Sequence, residues 1–143
     1  MDDVAWKDWF AVGHDTIDLE HKTFFSLINK ANDYVKEDRS DDDLLRIFDE
    51  ILKYADFHFT SEENVMLECD YPYRQEHHEE HRRLMITLRQ DITSFEGGNK
   101  PAQDIVRFLY HWLLDHTITE DLKISATVKQ KKLKSYFKVM DDA

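Results

Sequence analysis

Five histidines and two carboxylates in this chain have the types and spacing of metal ligands. They are His21, the pair His58 and Glu62, the pair His77 and His81, and His116 followed by Asp121. Both pairs are spaced i,i+4, so each projects from one helix face a single turn apart. Imidazole and carboxylate without thiolate suit iron, manganese or a borderline metal better than copper(I) or an iron–sulfur cluster. Seven ligands are too many for one ion and about right for two. Asp121 breaks the simple rule, because five residues advance a regular helix by ~500° and leave it ~140° from His116. Either the helix is widened there, as π-bulges at functional sites are, or the two side chains approach from different sides.

The elements that must carry these residues read as helices. Only three glycines and two prolines occur in 143 residues, with 41% hydrophobic and 34% charged, which favours an all-helical chain. Residues 1–16 read as an extended arm with Trp6, Trp9 and Phe10 packing across the bundle. From Ile17 to Lys36, the apolar Phe24, Phe25, Ile28, Ala31 and Val35 share a face with His21. Ser40 is the expected cap of a second helix, 41–69, whose stripe runs Leu44, Phe48, Ile51, Ala55, His58, Glu62, Val65. The polar residues sit inside the apolar stripe, and a buried polar group costs a few kcal/mol unless satisfied. A third helix, 73–95, carries His77, His81, Leu84, Leu88 and Phe95. Gly97 and Gly98 close it. Pro101 opens a fourth at its first position, with Ile105, Leu109, Trp112 and His116 on one face.

Four such segments with short connections predict an all-α fold, an antiparallel up-down-up-down four-helix bundle over 17–121. The arm (1–16) and a basic segment (122–143) complete one domain spanning 1–143. The basic segment is expected as a short helix solvated on the bundle's end, with docking of a partner as the alternative.

The formal charge of −11 argues against nucleic acid and against anionic lipid. No apolar run approaches the ~20 residues of a membrane span, so no membrane insertion is expected. The Met-Asp-Asp-Val start lacks the regions of a signal peptide. The single Cys69 suits a reducing compartment and reads as structural. The expected location is cytoplasmic.

Other chemistries fit less well. His14, His78 and His111 read as ordinary histidines. His77-His-Glu-Glu80-His81 matches the H-x-x-E-H metalloprotease pattern, with Glu80 as base, but the chain offers no strands to hold a substrate. Ferritin-like di-iron sites need Glu-x-x-His pairs, and no histidine here has a glutamate three before it. There is no G-x-S-x-G, glycine-rich phosphate loop or C-x-x-C.

The pattern His, His-x3-Glu, His-x3-His, His-x4-Asp on successive helices resembles the hemerythrins, most of all the bacterial ones. Val12-Gly13 before Ile17-Asp18, His21-Lys22, and Trp112-Leu113 before His116 extend the likeness from Trp6 to about Lys123. The resemblance implies two non-haem Fe ions per chain with an oxo or hydroxo bridge. His77, His81 and His116 would hold one iron, His21 and His58 the other, and Glu62 and Asp121 would join both. Six ligands then surround the first iron and five the second, leaving one open position for dioxygen. The implied role is reversible oxygen binding for carriage, storage or delivery, not catalysis, with a protein client or reductase as further partner. A di-iron oxidase or peroxidase, or an oxygen or redox sensor, shares every ligand.

An apolar oxygen pocket is expected from Phe25, Phe59, Trp112, Leu113 and Ile118. Where the family has isoleucine after its histidine, this chain has Thr117, with Thr119 beyond. Each hydroxyl either bonds back to the helix carbonyl a turn earlier, the reading favoured for Thr117, or faces the pocket and speeds oxidation. Asp18, one turn before His21, is a candidate acceptor for that ring's second N–H.

Overall fold

The computed structural model describes residues 2–142. Four long helices pack in sequence order: α1 (Asp15–Lys36), α2 (Asp41–Glu68), α3 (Arg74–Glu96) and α4 (Ala102–His116). α1 neighbours α2 and α4, and α3 neighbours the same two, so the four close a ring around one core. Each connection is five residues or fewer, which forces neighbours to run antiparallel. A fifth helix, α5 (Leu122–Asp141), follows α4 through a single π turn, Thr117–Asp121. Among the described residues no strand forms, and no helix is long and apolar enough to cross a membrane.

The helix ends show why breakers mark them only partly. Ser40 caps α2 as expected, its Oγ accepting from Asp43 N at 3.2 Å. α1, α2 and α3 all end alike, with a left-handed residue whose successor donates to the carbonyl five positions back. Those residues are Asp38 (φ 53°), Asp70 (φ 56°) and Gly98 (φ 78°), and the bonds run from Arg39 to Tyr34, Tyr71 to Met66 and Asn99 to Ser94. Only one of the three ends carries the glycine that sequence makes conspicuous. Pro101 stands just before α4 as its cap, in extended conformation, one place earlier than expected.

The main core includes Phe24, Ile28, Phe48, Ile51, Leu88, Ile105 and Leu109, all essentially inaccessible. The arm lies against it. Phe10 stacks on Phe25 at 5.4 Å, and Asn29 pairs with Val4 through both backbone groups at 2.9–3.0 Å. Trp9, expected in that packing, is 68% exposed. The C-terminal segment is not the short end-packed helix of the sequence reading. It is a 20-residue helix whose root alone packs, Ile124 joining Met66, Cys69 and Tyr71 in a small second core. From Lys129 to Asp142 every residue is exposed.

Candidate metal centre

Each bundle helix delivers its part of one buried cluster. α1 supplies His21, α2 supplies His58 and Glu62, α3 supplies His77 and His81, and α4 ends on His116. The π turn supplies Asp121, which resolves the spacing problem. An i→i+5 repeat brings the fifth residue round to the face its predecessor occupied. All seven side chains are at most 3% exposed.

The two carboxylates divide their oxygens. Glu62 Oε1 lies 3.0 Å from His21 Nε2 and 2.5 Å from His58 Nε2. Its Oε2 lies 3.2 Å from Nε2 of both His77 and His81. Asp121 does the same, with Oδ2 3.0 Å from His21 Nε2 and Oδ1 3.0–3.1 Å from His116 and His77 Nε2. Two ligand groups result, one with three imidazoles and one with two, sharing both carboxylates.

This geometry fits metal better than a hydrogen-bond network. Both Asp121 oxygens are buried beside imidazole nitrogens, yet neither makes a well-directed hydrogen bond. His116 Nε2 stands 3.1 Å from Nε2 of both His81 and His77. Ligands at right angles around an ion with bonds of ~2.1 Å stand ~3.0 Å apart, whereas tetrahedral ones stand ~3.4 Å apart. The three-imidazole group therefore suits an octahedral ion and its imidazole–carboxylate donors suit iron.

The sequence reading missed what two carboxylates outside the cluster do. Glu20 Oε1 is 2.8 Å from His58 Nδ1, and its Oε2 accepts from Ser61 Oγ at 2.9 Å. Glu80 Oε2 lies 3.3 Å from His116 Nδ1, off the line of a good hydrogen bond. This places Glu80 behind a ligand ring, away from any protease-like role. Each precedes a ligand histidine directly in sequence, which was the available signal. Asp18 does not serve His21. Its carboxylate accepts from Val12 N at 2.7 Å and Gly13 N at 3.2 Å, so it ties down the arm.

The wall residues divide as well. Phe59 stacks on His81 at 3.9 Å and Trp112 on His116 at 4.4 Å, so both rings cover the three-imidazole side. Phe59 also tilts toward His58 at 5.8 Å. Phe24, absent from the expected set, meets His58 edge-on at 5.9 Å, whereas Phe25 turns to the arm. Leu113 is buried and Ile118 half-buried. Thr117 is 1% exposed and its hydroxyl has no hydrogen-bond partner, contrary to the expected back-bond. Thr119 is exposed and donates to the Asp115 carbonyl at 2.6 Å, which removes it from the pocket.

In protein stripped of metal the cluster holds protons instead. Burial opposes charge on His21, but Asp121 and Glu62 outweigh it and lift the imidazole to about 9. His77 rises to about 9 against its burial for the same reason. His81 falls, mainly through burial. Burial would raise Glu62, but His58, His116 and His21 hold it well below the usual carboxylate range. A raised histidine contributes its full stability below its ordinary 6.5 and loses it as pH climbs through about 9. A depressed carboxylate contributes above its ordinary value, 4.5 for Glu62, and loses that in acid. Metal-free protein should therefore melt highest between about pH 5 and 6.5 and lose several degrees by pH 9. Ferrous-ion affinity should rise over the same interval, because imidazole must shed its proton to bind. Thermal melts with and without metal check both; a metal-free melting temperature that is flat or rising to pH 9 contradicts the linkage.

Known proteins resemble this chain in sequence and in fold. The hemerythrin HHE cation binding domain matches residues 12–128. A bacteriohemerythrin of Clostridium acetobutylicum is 30% identical over 122 residues, covering 82% of this chain and 95% of that one. Hemerythrin subunit alpha of Lingula anatina is 29% identical, covering 83% and 90%. The crystal structure of wild-type hemerythrin superposes with a TM-score of 0.79 at 26% identity, over 87% of this chain and 96% of that one. A point mutant of hemerythrin gives 0.81. This chain belongs to the hemerythrin HHE cation-binding family.

Proposed function

We propose that the chain binds dioxygen reversibly at a non-haem di-iron centre. The observation that carries the reading is the division of Glu62 and Asp121, one oxygen of each toward three imidazoles and the other toward two. His77, His81 and His116 would hold one iron, His21 and His58 the second, with an oxo or hydroxo bridge completing the pair. Iron held there would supply the redox chemistry that reversible dioxygen binding requires.

The protein's own residues set the asymmetry and exclude water. With one imidazole fewer, the His21 and His58 side has the lower donor count and is where a small ligand has room. Glu20 holds the His58 ring in one tautomer and orientation by accepting a hydrogen bond from its Nδ1–H. Phe24 and Phe59 face that ring with apolar surface. An oxidase or peroxidase would use the same ligands, and the buried unpartnered hydroxyl of Thr117 is the observation that bears on it.

Iron-replete protein is expected to contain two irons per chain by elemental analysis. The reduced form, cycled between air and argon, should develop and lose a visible band over many cycles. One metal per chain, stoichiometric zinc, or prompt irreversible oxidation would overturn the reading.

A further inference from the structure

The free half of α5 is an amphipathic helix with nothing against it among the described residues. Leu133, Tyr136, Phe137 and Met140 follow i, i+3, i+4, i+7 and form one apolar stripe, 52–60% exposed. Lys132 and Lys134 flank the stripe on either side, about 100° away. Residues 122–142 carry six lysines and two aspartates, +4, and since the whole chain is −11 the rest is −15. A stripe this large seeks a partner, and its lysines specify an acidic one.

Such a surface exists on the same chain. Trp6 and Leu19 line a recess of about 300 Å³ where the arm meets α1, edged by three carboxylates, Asp8, Asp15 and Asp18, against one cation, Lys22, whose Nζ lies over the Trp6 ring at 5.4 Å. Leu19 is 66% exposed. The recess begins close to where the free half of α5 leaves the body. Lys129 passes so near Gly13 that a Cβ there would stand 3.2 Å from its Cε, and Lys131 is tied to the Glu68 carbonyl and Asp70. One continuous helix cannot fold back onto its own recess, but a second copy's helix can enter it.

We propose that two copies of this chain dimerise by reciprocal exchange, each laying the free half of α5 into the acidic, aromatic-floored recess of the other. A two-fold axis near the roots of the two α5 helices makes both contacts at once, an isologous arrangement. Half-exposed side chains of this size, covered from both sides at two sites, amount to on the order of 1,500 Å², within the range of specific interfaces. The alternative of α5 pairing with α5 sets lysine flanks against lysine flanks. Tail against body sets them against aspartates.

Sedimentation of the iron-loaded full chain tests this. Wild type should be dimeric at tens of micromolar in low salt, with the dimer weakening at least tenfold by 0.5 M salt as the charges are screened. Leu133→Glu with Phe137→Glu should give a monomer with unchanged helicity and iron spectrum. Lys132→Glu with Lys134→Glu (tail reversed) should weaken self-association at least tenfold, and so should Asp8→Lys with Asp15→Lys (body reversed). Mixing the two reversed proteins should restore a dimer, because each tail then meets a recess of opposite sign. A wild-type monomer at 0.5 mM would overturn the proposal, as would a dimer indifferent to Leu133→Glu with Phe137→Glu. Loss on tail reversal without loss on body reversal would also overturn it, by setting the lysines against acids outside the recess. Monomeric binding to vesicles rich in anionic lipid, without dimers, would reassign the stripe to a membrane.

Discussion

Glu62→Ala is expected to bring iron below one per chain, whereas His58→Ala should keep an iron on the three-imidazole side. Among the described residues, Glu62 alone has two oxygens within 3.2 Å of four cluster imidazoles, two in each group. His58 serves one group. Removing the carboxylate also strands histidines that it keeps protonated in metal-free protein, and breaking such a buried pair costs about 3–5 kcal/mol. At this chain length that corresponds to a melting temperature lower by roughly 10 °C or more. Elemental analysis and a thermal melt decide it. Two irons and reversible oxygen binding retained in Glu62→Ala would remove its bridging role.

Thr117→Val is expected to slow autoxidation of the oxygenated protein about tenfold or more and to raise its melting temperature. The first effect follows from position. The hydroxyl is buried beside ligand His116, has no partner, and is free to carry a proton or order a water that does. Autoxidation needs that proton, and one good hydrogen bond in a dry pocket is worth ~1–3 kcal/mol. The second effect follows from desolvation, since an unpaired buried hydroxyl costs about 1–3 kcal/mol. Valine keeps the volume and removes the penalty. Thr119→Val is the internal control, because that hydroxyl is exposed and already bonded to the Asp115 carbonyl; its rate should stay within about twofold of wild type. Equal rates in both variants and wild type would remove the Thr117 hydroxyl from the oxidation.

The difference between these two threonines was not visible in the sequence, because their directions depend on how the chain winds after His116. A spacing of five fits either a widened turn or two angles of approach, and only the π turn fixes which side chain looks inward. The six cluster residues on regular helices were legible for the opposite reason. Buried polar groups inside an apolar stripe stand out against the helical period, as His58 and Glu62 do after Ile51 and Ala55. Of the outer carboxylates, Glu20 drew no reading from the sequence and Glu80 was read only as the base of the H-x-x-E-H pattern. Beyond their place directly before a cluster histidine, nothing local tells that a ring on the next helix needs its Nδ1 held. Asp18 misled because the arm folds back to offer Val12 and Gly13 amides, a tertiary event with no periodic trace. Phe24 and Phe25 were separated by a single position. On a helix that is 100° of rotation, enough to turn one toward His58 and the other toward the arm. The length of α5 was obscured because its free half has the pattern of a packed helix without the packing.

The π turn also makes α4, Asp121 and α5 a single unbroken rod. Asp121 sits at its pivot, and α5 runs 20 residues beyond, about 30 Å at the rise of a regular helix. Rods have the arithmetic of levers: a tilt of about 5° at the pivot moves the far tip by roughly 2.5 Å. One continuous rod thus joins a buried cluster carboxylate, Asp121, to the exposed Met140 at its far tip.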